Sequence, residues 1–280
     1  MTEHGIAQPA SPLAEQIWVV TGAAGRVGRC LVDGLRGQVH ALRVADLELP
    51  ATAGGPVDAV EPLAFDVRDL AACEAALRGA DGVVHLAGIP DEADFDDLVD
   101  TNIVGTHRVL EAARRSGVRR VVLASTNRTT GFYPAATEVD PTMPARPDSF
   151  YAVSKVAVEA LGRLYADKFG LEVVNVRIGS FEEQPRNVRH LSTWLSPADC
   201  VAAFVAAMTA PGVRYATFYG VSNNTRRFWS LDAGAALGFH PGDDAEGWTS
   251  TLSAEHGPLE RQSGEFTEAA YTLDRQRPLT

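Results

Sequence analysis

The sequence predicts an α/β fold in which helices cover both faces of a parallel sheet. Three observations support this prediction: short apolar runs alternate with amphipathic stretches, a glycine-rich turn follows the first run, and glycines end several helical stretches. Short buried strands that alternate with helices are typical of parallel sheets. Right-handed crossovers between them then give the doubly wound, Rossmann-type topology.

Each element has a local signal. The run at 17–20 is short and β-branched and breaks at a glycine-rich turn, which indicates a buried strand. Stretches with apolar residues three and four apart indicate amphipathic helices, and glycine marks where two of them end. Strands are expected at 17–20, 39–46, 58–65, 82–88, 119–125 and 171–179, and helices at 27–35, 68–79, 95–117 and 151–170.

Beyond residue 180 the alternation loosens. A helix is expected at 197–210 and a strand at 214–222, but loops rich in glycine, proline and charge separate what remains. The sequence therefore predicts a disordered tail at 1–14, a dinucleotide-binding Rossmann domain at 15–180 and a small, partly intercalated substrate-binding lobe at 181–280.

The composition argues against several classes of partner. A net charge of −11, from 25 basic and 36 acidic residues, disfavours binding to nucleic acid or anionic membranes, because affinity for phosphates depends on basic charge. Cys30, Cys73 and Cys200 lie far apart and form neither a disulfide framework nor a zinc site, so we expect no metal and a reducing compartment. The sequence lacks a signal-peptide pattern and an apolar run of about 18 residues, so we expect a cytoplasmic protein.

The turn "TGAAGRVG" places Gly22, Gly25 and Gly28 between a predicted strand and helix. These glycines permit a tight turn, close approach to a pyrophosphate and close packing of helix on strand. Asp46 ends the second strand, where a carboxylate binds the ribose 2′-hydroxyl and repels a 2′-phosphate. This predicts NAD rather than NADP, and a turn or cap residue is the alternative for Asp46. Asp66 ends the third strand similarly, as an adenine contact or a turn residue.

Tyr151 and Lys155 lie four residues apart on a predicted helix, so their side chains share a face. Oxidation of an alcohol by NAD needs a base, and tyrosine serves when a neighbouring cation stabilises its phenolate. Of the 25 basic residues, only Lys155 and Lys168 are lysines. A compact ammonium suits a phenol and a ribose hydroxyl better than the planar fork of arginine. A solvated lysine beside a half-buried tyrosine is the alternative interpretation.

Hydroxyls and an amide near these residues are further candidates. Ser125 and Thr126 end the preceding strand at the expected ligand crevice, although either hydroxyl could satisfy turn backbone instead. Asn102 lies inside the long predicted helix. It either bends that helix by bonding to backbone or is an exposed polar residue.

Together, the glycine turn, "HLAG" at 85–88, the hydroxyls at 125 and 126 and the YxxxK pattern at 151–155 resemble the extended short-chain dehydrogenase/reductases. Within that superfamily the chain is similar to the uronate dehydrogenases in "ASTNRTTGFYP", "RPDSFYAVSK" and "VRIGSFEEQPRNVRHLSTW". The resemblance implies NAD-dependent oxidation of the anomeric carbon of glucuronate or galacturonate to an aldarolactone. It also implies a homo-oligomer, because the helices at 95–116 and 151–168 pair between subunits in the superfamily.

The resemblance assigns roles by position. Tyr151 is the base, Lys155 its partner and Thr126 a polarising hydroxyl. The implied NAD contacts are Gly22, Gly25, Arg26, Val27, Gly28, Asp46, Asp66, Val67, Leu86, Ala87, Gly88, Asn102, Ser125, Tyr151, Lys155 and Ile178. The implied contacts of the acidic sugar are Pro90, Thr126, Asn127, Arg128, Tyr151, Ser180 and Arg189, of which Arg189 binds the carboxylate.

Four residues depart from the family pattern. Thr126 replaces a serine, Arg128 a histidine, Pro90 a serine and Arg26 a glutamine. Two neutral polar contacts are thus exchanged for two cations in a pocket that selects by hydroxyl pattern. One alternative is therefore an NAD-dependent dehydrogenase of another acidic sugar, such as one with more negative charge, or of an aldose. A nucleotide-sugar epimerase or dehydratase is a second alternative, disfavoured by the short C-terminal lobe. A non-catalytic NAD sensor is a third, disfavoured by the intact Tyr151 and Lys155.

Overall fold

The predicted α/β fold is confirmed by the computed structural model, which describes residues 12–49, 60–252 and 259–278. Its main sheet has seven parallel strands in the order β3-β2-β1-β4-β5-β6-β9, and β7 and β8 form a separate two-stranded sheet. The strands are β1 (Ile17–Thr21), β2 (Ala41–Asp46), β3 (Val60–Ala64), β4 (Gly82–His85), β5 (Arg120–Thr126), β6 (Glu172–Ile178), β7 (Ser180–Phe181), β8 (Trp194–Leu195) and β9 (Tyr215–Gly220).

Helices connect the strands and cover the sheet. They are α1 (Arg26–Leu35), α2 (Leu70–Leu77), α3 (Phe95–Leu98), α4 (Gly105–Ser116), α5 (Phe150–Phe169), α6 (His190–Thr193), α7 (Pro197–Thr209), α8 (Asp232–Ala235) and α9 (Ala269–Leu273). Short 3₁₀ segments lie at Asn127–Thr130, Ala245–Thr251 and Gly264–Thr267. Of the two predicted glycine ends, Gly117 caps α4 with a φ of 72°, and Gly79 lies two residues beyond the last residue of α2 with a φ of 70°.

Two apolar clusters lie on opposite faces of the sheet. One joins α1 and α7 to residues such as Val20 and Val122, and the other joins α2, α4 and α5 to residues such as Val19 and Val121. Because successive strand residues point to opposite faces, both faces of these strands are buried. This explains why the strands are continuous apolar runs without alternation.

The long predicted helix at 95–117 contains an irregular segment. The described helical run is α3, a π-helical turn at Val99–Val104 and then α4. Asn102 lies in the π-helical turn and is buried, so the interpretation as an exposed polar residue is wrong. Its side chain bonds to the backbone of Ile89 and to Ser154 Oγ, and not to its own helix. π-Helical turns often occur near functional sites.

The predicted division of the chain needs two corrections. Residues 1–11 of the predicted tail lie outside the described residues, but Leu13 is 1% exposed and packs into the core beside α1. The predicted boundary at 180 does not separate sheet from lobe, because α7 packs on α1 and β9 pairs with β6 along its length. The segment that contains α6 lies between β6 and β9 along the chain, so the sequence pattern did not indicate that these two strands belong to one sheet.

The remaining C-terminal residues flank the carboxyl ends of β5 and β6. Isolated bridges pair Pro134 with Arg261 and Val139 with Trp229. The C-terminal residues are therefore hydrogen-bonded to the loop that follows β5. Within the described ranges, no helix has the length and apolarity that crossing a membrane requires.

Candidate active site

A cleft of about 920 Å³ lies at the carboxyl ends of the parallel strands. It opens between β1 and β4, where the strand order reverses direction. This reversal point is where ligands bind in doubly wound sheets. The glycine turn forms one wall of the cleft, and the ends of β4, β5 and β6 form the other.

The glycine turn needs the absence of side chains at two positions. Gly22 has a φ of 73°, and a Cβ there would lie 2.5 Å from the backbone nitrogen of Ala87. A Cβ at Gly28 would lie 2.2 Å from the carbonyl oxygen of Gly22. The turn thus packs directly against β4, and α1 begins at Arg26 immediately after it. The first backbone N–H groups of α1 therefore face the cleft, as in a phosphate-binding turn.

Asp46 connects the second strand to this turn. Its carboxylate accepts a hydrogen bond from the Ala24 N–H at 2.9 Å and another from the Leu47 N–H at 2.8 Å. Asp46 also lines the cleft. Asp46 thus bonds to turn backbone, as the alternative interpretation expected. It also lies in the cleft, where the ribose is predicted to bind. Asp66 lines the cleft too, where a hydrogen bond from Arg68 is the main cause that lowers its pKa.

Tyr151 and Lys155 both line the cleft from α5, on one face of the helix as predicted. Lys155 Nζ lies 5.9 Å from the centre of the Tyr151 ring and donates to the Ala124 carbonyl at 3.0 Å. Burial raises the pKa of Tyr151 to about 12, against which a hydrogen bond with Thr126 and the charge of Arg128 act. Burial lowers the pKa of Lys155 to about 8.

A buried ionic network supports the strand ends beneath these residues. Ser125 Oγ donates to Glu159 Oε1 at 2.6 Å, and Arg177 binds both oxygens of Glu159 at 2.9 and 2.8 Å. Arg177 also bonds to the Tyr219 hydroxyl, which meets Thr130 Oγ1 at 2.9 Å. The network therefore links β5, α5, β6 and β9 directly below the cleft.

Glu92 fixes the start of α5, although no local sequence pattern indicates this role. Its carboxylate is 7% exposed and accepts hydrogen bonds from the backbone N–H groups of Phe150 and Tyr151, at 3.1 and 2.8 Å. A carboxylate at a helix N-terminus satisfies free N–H groups and interacts favourably with the helix dipole. Glu92 thereby holds the backbone of Tyr151.

Three buried donors lie at the end of the cleft opposite the glycine turn. Asn127 Nδ2, Arg128 Nη2 and Arg189 Nη2 have no hydrogen-bond partner among the described residues, and we call them the open donors. All three residues line the cleft. Arg189 Nη1 donates to Ser180 Oγ at 3.2 Å, and its Nε donates to the Gln262 carbonyl at 3.0 Å. Burial lowers the pKa of Arg189 to about 10, so it remains charged at neutral pH.

Arg128 is held more tightly. Its Nε donates to Asp148 at 2.9 Å and its Nη1 to Asp91 at 2.6 Å, and Nη1 also meets the Tyr271 hydroxyl at 3.3 Å. The hydroxyl of Tyr271 in turn donates to Asp91. Tyr271 lies 143 residues beyond Arg128 along the chain. Because of this separation, no local sequence pattern indicates the contact.

Arg26 bridges the two walls of the cleft. Its guanidinium donates to the Phe181 carbonyl and forms an ion pair with Glu182. This cation therefore pairs within the protein, across the glycine turn, although it was expected to contact the cofactor. Its residue still lines the cleft.

The structure brings together the predicted site residues with one exception. All of the predicted cofactor and sugar contacts line the cleft except Asn102, which lies behind the loop at 88–90. Asn102 does not line the cleft, because its amide is engaged by Ile89 and Ser154, and its contact with the cofactor stays a prediction. The roles of the other residues remain predictions. Sequence reasoning missed Asp91 and Phe266, which also line the cleft.

Comparisons with known proteins agree with this geometry. A uronate dehydrogenase from Pseudomonas putida is 38% identical over 86% of this chain and 89% of its own length. An NAD-dependent glucose-6-phosphate dehydrogenase from Haloferax volcanii is 36% identical over 84% of this chain and 96% of its own. The crystal structure of a mutant uronate dehydrogenase from Agrobacterium tumefaciens complexed with NAD superposes with a TM-score of 0.84 at 39% identity, covering 91% of this chain and 97% of that chain.

The fold with its glycine turn and cleft is thus similar to that of an NAD-dependent sugar dehydrogenase of known structure. Residues 18–195 match the NAD dependent epimerase/dehydratase family over more than half of the chain. The chain belongs to the NAD-dependent epimerase/dehydratase family.

Proposed function

We propose that the protein oxidises the anomeric carbon of a hexuronate, glucuronate or galacturonate, to an aldarolactone with NAD. The observation that carries this proposal is the buried open donor of Arg189 beside Ser180. A buried donor without a partner costs about 1–3 kcal/mol, and a carboxylate that reaches it removes that cost. The bond formed is also charge-assisted. The uronate dehydrogenases similar to this chain support the same substrate class.

The residues of the cleft fit NAD. The close backbone packing at Gly22 and Gly28 leaves room for a pyrophosphate at the start of α1. Asp46 would bind a ribose hydroxyl, and its charge would disfavour a 2′-phosphate. When bound, NAD supplies the acceptor for the hydride that leaves C1 of the sugar.

The chain's own residues would handle the proton. Tyr151 Oη takes the proton of the C1 hydroxyl while the C1–H bond breaks, so that C1 becomes the carbonyl carbon of the lactone. Thr126, which hydrogen-bonds to Tyr151, orients the same hydroxyl. Lys155 places its ammonium near the Tyr151 ring and stabilises the phenolate, the form of Tyr151 that takes this proton.

A sugar phosphate is the second candidate substrate, because the Haloferax relative is a glucose-6-phosphate dehydrogenase and two guanidiniums lie at the sugar end. The charges favour a carboxylate. Buried Asp148 matches Arg128, whose second partner Asp91 is exposed to solvent, whereas Arg189 bonds, within the described part of the chain, to a carbonyl and a hydroxyl and not to a carboxylate. One uncompensated cation suits a monoanion, and a dianion would leave buried negative charge at a cost of several kcal/mol.

We also propose that the protein is a homo-oligomer in the cytoplasm. Large apolar side chains are exposed on α3 and α5: Phe95, Phe150, Val153, Leu164 and Phe169 are 38–48% exposed. A helix face of this kind suits burial against a second copy. The free thiols of Cys30, Cys73 and Cys200 suit a reducing compartment. Light scattering should give a mass above one chain, and Val153→Glu should lower it.

The decisive experiment measures NADH formation with a substrate panel. The panel contains glucuronate and galacturonate, their neutral counterparts glucose and galactose, glucose 6-phosphate and a UDP-sugar. We expect kcat/KM to be highest with a uronate, with the lactone as product. A preference for glucose 6-phosphate would favour the second candidate. Conversion of the UDP-sugar without net NADH would identify an epimerase, and inactivity with every compound would reject an enzyme of this class.

A further inference from the structure

Arg128 and Arg189 are arranged as a pair. Their guanidinium carbons lie 4.5 and 5.2 Å from the centre of the same ring, that of Phe266. Each lines the cleft, and each has its Nη2 among the open donors. The charge of Arg128 also contributes to lowering the pKa of Arg189, as expected for neighbouring cations. The histidine expected at position 128 would give a shorter side chain with a different charge.

The two guanidiniums are held by different groups. Arg128 is fixed by Asp148 and Asp91, and the rings of Tyr271 and Tyr151 lie 5.0 and 5.4 Å from its guanidinium carbon. These contacts use Nε and Nη1 and leave the Nη2 hydrogens to a ligand. Because arginine only donates hydrogen bonds, that ligand must present an acceptor.

The C-terminal segment, residues 259–278, builds this pair. Gln262 accepts from Arg189, Phe266 lies over both guanidiniums, and Tyr271 meets Arg128. The same segment is fastened at its end by Arg277, which forms ion pairs with Asp94 and Asp97. The C-terminal segment therefore holds Arg128 and Arg189 in place at the sugar end of the cleft.

We propose that Arg128 and Arg189 share the substrate carboxylate, each donating from Nη2 to one of its oxygens. The inference rests on the proposed function. The Phe266 ring lines the cleft and lies against both guanidiniums. Two oxygens match two open donors, and buried Asp148 already balances one of the two cations. Arg128 is then a specificity residue for the acidic group, and Tyr271 is a positioning residue.

The test compares a uronate with its neutral aldose. Arg128→Gln alone would leave Asp148 as an unpaired buried charge, so the main variant is Arg128→Gln with Asp148→Asn, which keeps the charge balanced. We expect kcat/KM for glucuronate to fall by roughly tenfold or more, as is typical when a charge-assisted contact is lost, while the value for glucose changes less than about threefold. Thermal melting and NAD affinity verify that the variant is folded.

Two further variants separate recognition from support. Tyr271→Phe keeps the ring but removes the hydroxyl that meets Arg128, so we expect a several-fold rise in KM for glucuronate with kcat nearly unchanged. Arg277→Ala is the matched control, because Arg277 anchors the same segment but pairs with Asp94 and Asp97. It should leave both sugars unaffected. If Arg277→Ala reproduced the Tyr271→Phe effect, general loosening of the segment would explain the result and the positioning role would be rejected.

The outcomes distinguish the two proposals. A wild type that oxidises no uronate rejects the proposed function, and this inference with it. A wild type that oxidises uronates, combined with equal losses on glucuronate and glucose in the Arg128 double variant, rejects only the inference. Arg128 would in that case contact a hydroxyl common to both sugars.

Discussion

Lys155 donates a hydrogen bond from Nζ to the carbonyl oxygen of Ala124, at 3.0 Å. The bond ties α5 to the end of β5, where Ser125 and Thr126 line the cleft. One donated bond leaves two ammonium hydrogens, which we propose serve the cofactor ribose and the Tyr151 phenol. A planar guanidinium would not fit this buried site in the same way, which gives a physical reason for a lysine in a chain that otherwise uses arginine.

Tyr151→Phe should abolish turnover while NAD still binds. The phenylalanine ring preserves the packing of the buried tyrosine, but the change removes the hydroxyl that we propose as the base for the sugar proton. Loss of a general base costs about 100- to 10,000-fold in rate. Single-turnover NADH formation and NAD titration of the same variant measure the two properties. Activity within threefold of the wild type would remove Tyr151 from the mechanism.

The pH profile should contain a break set by Lys155. With the Tyr151 pKa near 12, the phenolate fraction of the free enzyme rises about tenfold per pH unit across the neutral range. Lys155 loses its charge as the pH passes its pKa of about 8, so its charged fraction then falls at the same rate. If both charges are needed, kcat/KM for NAD should rise up to about pH 8 and level off above it.

The profile of Lys155→Met provides the comparison. This variant should be slower at every pH and should lack the break, because the titrating ammonium is gone. A break at the same pH in the variant would assign it to another group.

The fold was predictable from local patterns. Apolar runs, helical spacing and glycine turns depend on nearby residues, and both faces of the main sheet are buried as those patterns indicate. The doubly wound topology followed from the handedness of the crossovers. Tyr151, Lys155 and Asp46 were predictable for the same reason, since each lies at a fixed place relative to its element.

Long-range contacts were not predictable. Asp91 and Tyr271 meet although 180 residues separate them, and neither has a neighbouring pattern that indicates a partner. The burial of Asn102 was equally hidden, because it depends on the loop at Ile89 rather than on the helical sequence around it. The contacts and the burial of these side chains depend on residues that are distant in the sequence.

Asp46→Asn should narrow the preference for NAD over NADP. The asparagine oxygen can still accept from the Ala24 N–H, so the turn is preserved while the negative charge is removed. Without repulsion of the 2′-phosphate, we expect the ratio of kcat/KM values for the two cofactors to shift towards NADP by about tenfold. Comparable values for both cofactors in the wild type would show that Asp46 does not select between them.

Glu159→Gln should destabilise the protein strongly. Glu159 accepts from Ser125 and pairs with Arg177, and both ionic partners are buried. Breaking a buried pair costs about 3–5 kcal/mol, because a charge remains without its partner. Urea unfolding of the variant measures this loss. The matched control is Asp167→Asn, which breaks the exposed pair with Arg163 and should change stability by less than about 1 kcal/mol. Equal effects of the two changes would contradict the role given to burial.

Arg189→Ala separates a uronate enzyme from an enzyme for neutral sugars. Arg189 lies between Ser180 and Gln262, and its charge has an open donor at the sugar end of the cleft. Losing a buried charge-assisted contact costs about 2–5 kcal/mol, so kcat/KM for a uronate should fall by more than tenfold. The neutral aldose, poor from the start, should change little. Arg189→Lys should recover part of the activity, since an ammonium keeps the charge but not the forked geometry.

A variant of a residue that supports Arg189 provides the control for this prediction. Ser180→Ala removes the hydroxyl that accepts from Arg189 Nη1 at 3.2 Å but leaves the cation in place. Its loss on the uronate should therefore be smaller than that of Arg189→Ala, within about tenfold. Equal losses on uronate and aldose in Arg189→Ala would mean that the residue supports the loop between β7 and α6 and does not bind the carboxylate. A wild type that prefers the neutral aldose would reject the uronate assignment altogether.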